Sequence, residues 1–144
     1  MIKFLITVFL SLVLAACGDK KQMLDKDKER IDKVCDTFML SFSKGQFKDA
    51  LELLRQSSVL EAEKIDSLLV TVENHFRNVF PAYGRMLSAE FITERKIKDF
   101  IAKRFYILKF EKYPIKFDFT LYRSVKGWTI TSVEYNEELL DLLY

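Results

Sequence analysis

The residue types that most often carry chemistry are scarce in this chain of 144 residues. It contains one histidine, His75, and two cysteines, Cys17 and Cys35. A zinc site needs three or four Cys, His or carboxylate ligands at short spacings, and no such spacing is present. There is also no glycine-rich phosphate loop and no nucleophile elbow around a serine. We therefore expect neither a metal nor any other cofactor.

Cys17 follows a short uncharged segment. After Lys3, the eleven residues 4–14 carry no charge. A membrane-spanning helix needs ~20 apolar residues, so this segment is too short to span. Its length suits the apolar region of a secretory signal, and Ala15 and Ala16 supply the small residues expected at a cleavage site.

The sequence Leu14-Ala15-Ala16-Cys17 resembles the lipobox of bacterial lipoproteins. The resemblance implies that residues 1–16 are a signal peptide and that Cys17 becomes the acylated N-terminus, carrying fatty acids such as palmitate. One acyl chain binds a membrane only marginally, so stable anchoring needs the two or three chains that the family carries. The alternatives are a plain signal peptide with a chance cysteine and a buried N-terminal helix.

The same resemblance places the protein in the bacterial cell envelope, facing the periplasm. An aspartate directly after the cysteine would resemble the inner-membrane retention signal, but Gly18 stands there. This favours the outer membrane over the inner membrane. Export also makes nucleic acid an unexpected partner.

The sequence predicts one domain in the mature chain. Residues 17–144 number 128, which is enough for a single core. Residues 17–28 are highly charged and are interpreted as a lipidated, flexible tether, with the domain at 29–144. Acylation of Cys17 would leave Cys35 unpaired. Cys35 lies on an apolar stripe, which favours burial over a reactive thiol.

Apolar residues recur at helical spacing through the first half of the domain. They predict a helix from about Glu29, a second near residues 47–54, and a third ending before Pro81 and Gly84. The predicted buried positions of the first helix are Ile31, Val34, Cys35, Phe38, Met39 and Phe42.

The second half alternates with a period of two, which is typical of strands. Ile115, Phe117, Phe119 and Leu121 share the predicted inner face of one strand, and Asp118 points outward. Residues 86–96 are a weaker strand candidate. The predicted fold class is α+β, with three N-terminal helices packed on a curved antiparallel sheet of about four strands.

This order of elements, with Tyr122-Arg123 and Gly127-Trp128 in the last two strands, resembles small nuclear transport factor 2-like (cystatin-like) domains. It is similar to the uncharacterised lipoproteins of that superfamily. The resemblance implies a conical fold that usually encloses a pocket. Its enzymes place a histidine or carboxylate there, and its members often dimerise through the outer sheet face.

Two features bear on partners. The segment Arg-Phe-Tyr-Ile-Leu-Lys-Phe at 104–110 is apolar on both faces, which predicts a dimer or envelope-protein contact, a bulge, or cover by the C-terminal segment. Residues 85–126 hold 11 Lys/Arg against 5 Asp/Glu. This basic segment is interpreted as a solvated strand face, or as a surface for anionic lipid or an acidic partner.

The remaining candidate site is aromatic. Its predicted lining residues are Tyr83, Arg85, Phe105, Phe117, Phe119 and Trp128, with Arg85 and Arg123 as polar groups. Such aromatic residues fill a core more often than they bind a ligand. The function expected from the sequence is a membrane-anchored binding or interaction module. The alternative is a small isomerase or hydrolase that uses His75 or Asp118.

Overall fold

The structure, a computed structural model, describes the backbone of residues 2–143 and the side chains of residues 22–140, 142 and 143. The side chains of the predicted signal peptide and of Cys17 lie outside the described residues. The elements are α1 (Ile2–Ser43), α2 (Phe47–Ser57), α3 (Ala62–Asn78), a short 3-10 helix (Phe80–Tyr83), β1 (Met86–Ile97), β2 (Ile101–Phe110), β3 (Pro114–Ser124), β4 (Gly127–Asn136) and a last 3-10 turn (Leu140–Leu142). The predicted α+β class is confirmed.

The four strands form one antiparallel sheet in the order β1-β2-β3-β4. Each strand pairs with its sequence neighbour, because the connections between them are short turns. Gly127 has a φ of 117° in the β3–β4 turn, a conformation that few residues other than glycine adopt. The predicted meander, including the strand at 86–96, is confirmed.

The core lies between the helices and the inner face of the sheet. Phe38 of α1 packs edge-on against Phe119 at 5.2 Å between ring centroids, and Phe42 packs against Phe117 at 4.9 Å. These rings are at most 1% exposed. The aromatic residues of β3 therefore fill the space between sheet and helices.

A β-bulge changes which residues of β4 face the core. Leu121 pairs with Ile130, but Thr120 pairs with Ser132, so Thr131 is the extra residue. After the bulge, Val133 and Tyr135 turn toward the core, and Tyr135 stacks on Phe117 at 5.0 Å. Simple alternation from Trp128 places these two side chains on the wrong face.

The first helix is already bound to the domain before residue 29. The Asp27 carboxylate accepts a hydrogen bond of 2.6 Å from the backbone N–H of Trp128. Lys28 is buried, and its ammonium group lies 2.6 Å from Glu94 of β1 and 5.5 Å from the ring centroid of Trp128. The expectation of a flexible tether over residues 17–28 is therefore wrong at its C-terminal end, where Asp27 and Lys28 are helical and contact the sheet. These charged residues are helical because the sheet supplies their partners.

The outer sheet face is partly buried within the single chain. Phe105 is 3% exposed, with the cationic groups of Arg95 and Lys103 over its ring. Asp118 points to this face, as predicted, and forms an ion pair of 3.0 Å with Lys103. The bulges of the sheet lie in β1 and β4, while β2 and β3 pair in regular register. Burial of Phe105 therefore does not require a second copy of the chain, and the dimer stays a prediction.

The contact of Asp27 with the β3–β4 turn predicts different costs for two glycine substitutions. A Cβ at Gly127 would collide with the Asp27 carboxylate, whereas a Cβ at Gly45 would enter open space. Both glycines have positive φ. We expect Gly45→Ala to lower the free energy of unfolding by about 1 kcal/mol and Gly127→Ala by about 2 kcal/mol, since moving the Asp27 carboxylate aside breaks its hydrogen bond to the Trp128 N–H.

Urea denaturation of the two variants measures this difference. Equal destabilisation by Gly127→Ala and Gly45→Ala would show that α1 does not hold the β3–β4 turn.

Candidate functional site

An open recess of about 390 Å³ lies where the C-terminal end of α1 meets the start of β1 and the end of β2. Its floor is apolar and includes Phe80 and Phe110, whose ring centroids are 5.2 Å apart. The full lining is Ser43, Lys44, Gly45, Phe76, Phe80, Pro81, Gly84, Arg85, Met86 and Phe110. An apolar floor with a few polar groups at the rim is typical of a small-molecule site.

Local sequence explains why this recess stays open. Gly45 ends α1 with a φ of 75°, and it carries no side chain that could cover the floor. Pro81 starts the 3-10 helix, which turns the chain from α3 into β1. Phe76 is 45% exposed at the end of α3, although its ring packs against Phe47 at 5.0 Å. Phe76 is therefore the aromatic side chain of the recess that a ligand can reach, whereas Phe80 and Phe110, 3% and 7% exposed, support it from below.

The rim beside Gly84 is held by Glu111. The Glu111 carboxylate accepts a hydrogen bond of 3.0 Å from the backbone N–H of Arg85 and lies 3.3 Å from its guanidinium. The Glu111 side chain occupies the space that a Cβ at Gly84 would need. Arg85 is largely exposed, so its guanidinium remains available to an anion at the mouth of the recess.

The structure does not bring the predicted pocket residues together. Arg85 lines the recess, and Tyr83 packs behind it, 5.8 Å from the ring of Phe110. The other four predicted residues lie elsewhere. Phe117 and Phe119 are core, Phe105 is on the outer sheet face, and Trp128 contacts Asp27 and Lys28. Arg123, the other predicted polar group, pairs with Asp99 at 2.7 Å.

Sequence reasoning missed the aromatic residues that do form the recess. Phe76, Phe80 and Phe110 each stand at the end of an element, where strand alternation and helical periodicity carry no information about a cavity. In the sequence, Pro81 and Gly84 predict only the end of the third helix. The two aromatic residues beside them, Phe80 and Tyr83, are the available signal of the recess.

The two residues considered for catalysis do not reach the recess. The His75 Nδ1 and the Tyr135 hydroxyl form a hydrogen bond of 2.8 Å. Asp118 lies on the opposite face of the sheet, and burial raises its pKa although Lys103 opposes this effect. Among the described residues, no carboxylate or imidazole belongs to the recess lining.

A partly buried charged cluster fixes α1 across the sheet, with Arg104 inside and Asp36 at its exposed edge. It combines two cations, Lys28 and Arg104, with three carboxylates and one phenol hydroxyl. Arg104 donates to the Tyr106 hydroxyl at 3.0 Å, and this hydroxyl donates to Asp36 at 2.5 Å. The guanidinium of Arg104 also lies 4.4 Å from the ring centroid of Phe91. The cluster members are Lys28, Asp32, Asp36, Glu94, Arg104 and Tyr106.

Within this cluster the pKa of Glu94 is lowered and the pKa of Tyr106 is raised. Burial disfavours the charge of Glu94, but hydrogen bonds from Lys28 and Arg104 outweigh it and lower the pKa of Glu94. Burial and the hydrogen bond to Asp36 raise the pKa of Tyr106. Glu94 is therefore ionised and the Tyr106 phenol is neutral near neutral pH, an arrangement that stabilises the fold.

Cys35 is fully buried beside this cluster. Burial raises the pKa of its thiol to about 12, against a smaller opposing effect of Arg104. Since the thiolate is the reactive form, Cys35 is an inert packing residue near neutral pH. The expected burial of Cys35 is confirmed.

Three further observations bear on ligand binding, metal binding and membrane insertion. A second recess of about 370 Å³ between α1 and α2 is lined mainly by charged side chains, among them Lys26, Arg30 and Lys33. The described side chains include no group of three or more His, Cys, Asp or Glu residues placed to hold a metal ion. Within the described part of the chain, no helix combines the length and apolar character needed to cross a membrane.

The charged cluster predicts the acid response of the fold. The pKa of Glu94 is lowered from its ordinary value of 4.5, so ionised Glu94 stabilises the fold above that pH. The stabilisation is lost as the pH falls through the lowered pKa. We expect Glu94→Gln to reduce the free energy of unfolding by about 2 kcal/mol at neutral pH and to flatten its decline below pH 4.5.

Asp118→Asn is the matched control, and urea denaturation across this pH range is the measurement. The pKa of Asp118 is raised above its ordinary value of 3.8, so its ionisation costs stability as the pH rises through the raised pKa. Asp118→Asn should therefore abolish this decline in the free energy of unfolding as the pH rises toward neutral. Identical pH profiles for the two variants would contradict these assignments.

Comparison with known proteins gives no match. No family model, no curated protein and no solved structure is detectably similar to this chain. Functional conclusions therefore rest on the residues and their geometry, and of the two recesses described above the one at the end of α1 has the more apolar lining.

Proposed function

We propose that this protein is a lipid-anchored binding module of the bacterial cell envelope. Its anchor is acylated Cys17, and its ligand site is the apolar recess between α1, β1 and β2. The ligand class that fits is a small molecule or terminal group with an apolar body and an anionic end. The observation that carries the binding role is the open aromatic recess with Arg85 at its mouth.

Support for the anchor comes from the sequence. Leu14-Ala15-Ala16-Cys17 follows an apolar segment of the length found in export signals. With two or three acyl chains, Cys17 would hold the protein stably on a membrane. Gly18 in place of an aspartate favours the outer membrane, with the domain in the periplasm.

Support for a binding role comes from the shape and chemistry of the recess. Its volume of about 390 Å³ is within the range of small-molecule sites. Phe76 offers apolar surface that water covers in the empty state, above the buried rings of Phe80 and Phe110, and covering it with a ligand is favourable. Lys44 and Arg85 lie at the rim, where they can pair with an anionic group.

The element order agrees with a nuclear transport factor 2-like domain, and we include membership of that superfamily in the proposal. Three helices precede an antiparallel sheet of four strands. The proposed site lies where α1 ends and β1 begins, and the phenylalanine rings of α1 and β3 fill the space further in. A binding role fits this site better than catalysis, since the recess lining offers a general acid or base neither from His75 nor from Asp118.

The anchor is tested by replacing the cysteine that would carry the lipid. Cys17→Ala should abolish incorporation of a labelled palmitate analogue and leave a precursor that retains residues 1–16. The reason is that both acyl transfer and the following cleavage depend on the Cys17 sulfur. Metabolic labelling and electrophoresis of membrane fractions measure both effects.

Cys35→Ala is the matched control, because Cys35 is buried and distant in sequence from the signal. It should label and mature normally. Normal processing of Cys17→Ala would remove the lipoprotein proposal.

The ligand site is tested with hexanoate, which has a short apolar chain and a carboxylate. In the full-length lipidated protein labelled at its methionine methyl groups, NMR titration should shift the Met86 methyl signal saturably. Arg85→Glu should weaken this binding roughly threefold to tenfold, because an attraction becomes a repulsion at an exposed position.

The protein supplies internal controls for this titration. Met39 is buried in the core and Met23 is exposed on α1, so neither methyl signal should follow the Met86 shift. Arg77→Glu changes an equally exposed arginine on α3 that is absent from the recess lining, and should leave binding unchanged. A static Met86 signal, or equal effects of the two substitutions, would rule out this site.

A further inference from the structure

Two hairpin tips lie side by side at the end of the sheet opposite the recess. They are residues 97–100, between β1 and β2, and residues 124–127, between β3 and β4; together they form what we call the hairpin surface. The backbone N–H of Arg123 donates to the Phe100 carbonyl at 2.8 Å, and the Arg123 guanidinium lies 2.7 Å from the Asp99 carboxylate. These contacts hold the two tips as one surface.

The hairpin surface combines exposed apolar side chains with lysines. Val125 is fully exposed, Ile97 is 65% exposed and Phe100 is 38% exposed. Lys98 and Lys126 are exposed at the same tips, and Lys96 precedes them. The one acidic residue of the two tips, Asp99, is paired with Arg123. Apolar tips surrounded by lysines match the interface of an anionic bilayer, where apolar groups enter the acyl boundary and lysines meet headgroups.

The distance along the chain also places this surface near the proposed anchor. Asp27 binds the backbone N–H of Trp128, directly after the β3–β4 tip. Cys17 is ten positions before Asp27. Ten residues span at most ~35 Å even when fully extended. The lipid attached at Cys17 would thus keep the hairpin surface close to the membrane.

We propose that the hairpin surface docks on the anionic phospholipid headgroups of the membrane that holds Cys17. The inference rests on the proposed lipid anchor for its geometry and adds a second, non-covalent contact. In the docked orientation the apolar tips enter the headgroup region and the recess, at the other end of the sheet, faces away from the membrane. The recess is then presented to ligands in the periplasm.

The experiment places an environment-sensitive fluorophore on each end of the sheet. The full-length lipidated protein carries Val125→Cys at the hairpin surface or Tyr113→Cys at the β2–β3 turn. Tyr113 is 57% exposed and serves as the control at the opposite end. The introduced thiol is labelled selectively, since Cys35 is buried and Cys17 would be acylated.

The labelled proteins are reconstituted in vesicles of phosphatidylethanolamine and phosphatidylglycerol, or of phosphatidylcholine alone. At position 125 the emission should shift to the blue and be quenched by brominated acyl chains in the anionic vesicles. At position 113 it should do neither. Equal signals at both positions, or no change at position 125, would overturn the docking proposal.

Charge reversal separates membrane docking from an acidic protein partner. Lys98→Glu combined with Lys126→Glu should lower the ratio of docked to undocked label roughly fivefold per residue in the anionic vesicles. Undiminished docking by this variant would contradict a role for the lysines. A blue shift that needs an added envelope extract and not anionic lipid would point to a protein partner and overturn the proposal.

Mass spectrometry of the same preparations distinguishes the two proposals. Acylated protein whose Val125→Cys label stays in water would refute docking and leave the anchor intact. Protein without acylation in which peptide mapping finds the label at residue 125 alone, and whose label still enters anionic vesicles, would refute the anchor and leave docking intact.

Discussion

The attachment of α1 to the sheet through charged side chains is the interaction on which the other features depend. Lys28 and Arg104 lie between Asp32, Asp36 and Glu94, and Asp27 caps the β3–β4 turn. The side chains of Lys28, Glu94 and Arg104 are 9–15% exposed, so removing one of them leaves a largely buried charge without its partner, which is far costlier than loss of an exposed pair. The cluster therefore fixes both the position of α1 and the sheet end that it meets.

This attachment fixes the two ends of the molecule that carry the proposed contacts. The N-terminal part of the domain, with Asp27 and Lys28, meets the hairpin surface, and the C-terminal end of α1 borders the recess. The phenylalanine rings between them form a close-packed core that holds the two ends in a fixed relation. In the proposed account, one end is held at the membrane and the other is presented to ligands.

Much of the fold follows from periodicity, while the site does not. The stripe from Ile31 to Phe42 and the alternation of β3 depend only on local spacing, and the predicted inner positions are buried except Val34, which is half-buried. The structure also buries Asp118 on the outer face of β3, which alternation does not predict. The charged cluster joins Asp36 to Arg104, which are 68 positions apart, so no local pattern reveals it. The bulge at Thr131 likewise depends on pairing with β3 and reverses the expected face of Val133. The recess arises where several elements end, and for that reason only Arg85 among the predicted lining residues belongs to it.

The central claim is that the mature protein begins at an acylated Cys17. The most direct test is the intact mass of the protein extracted from membranes with detergent, followed by fragmentation of its N-terminal peptide. The account predicts a chain that lacks residues 1–16 and carries a diacylglyceryl group on Cys17, with or without a third acyl chain on its amino group. A mature protein with an unmodified Cys17, or one that begins at any other residue, would contradict it.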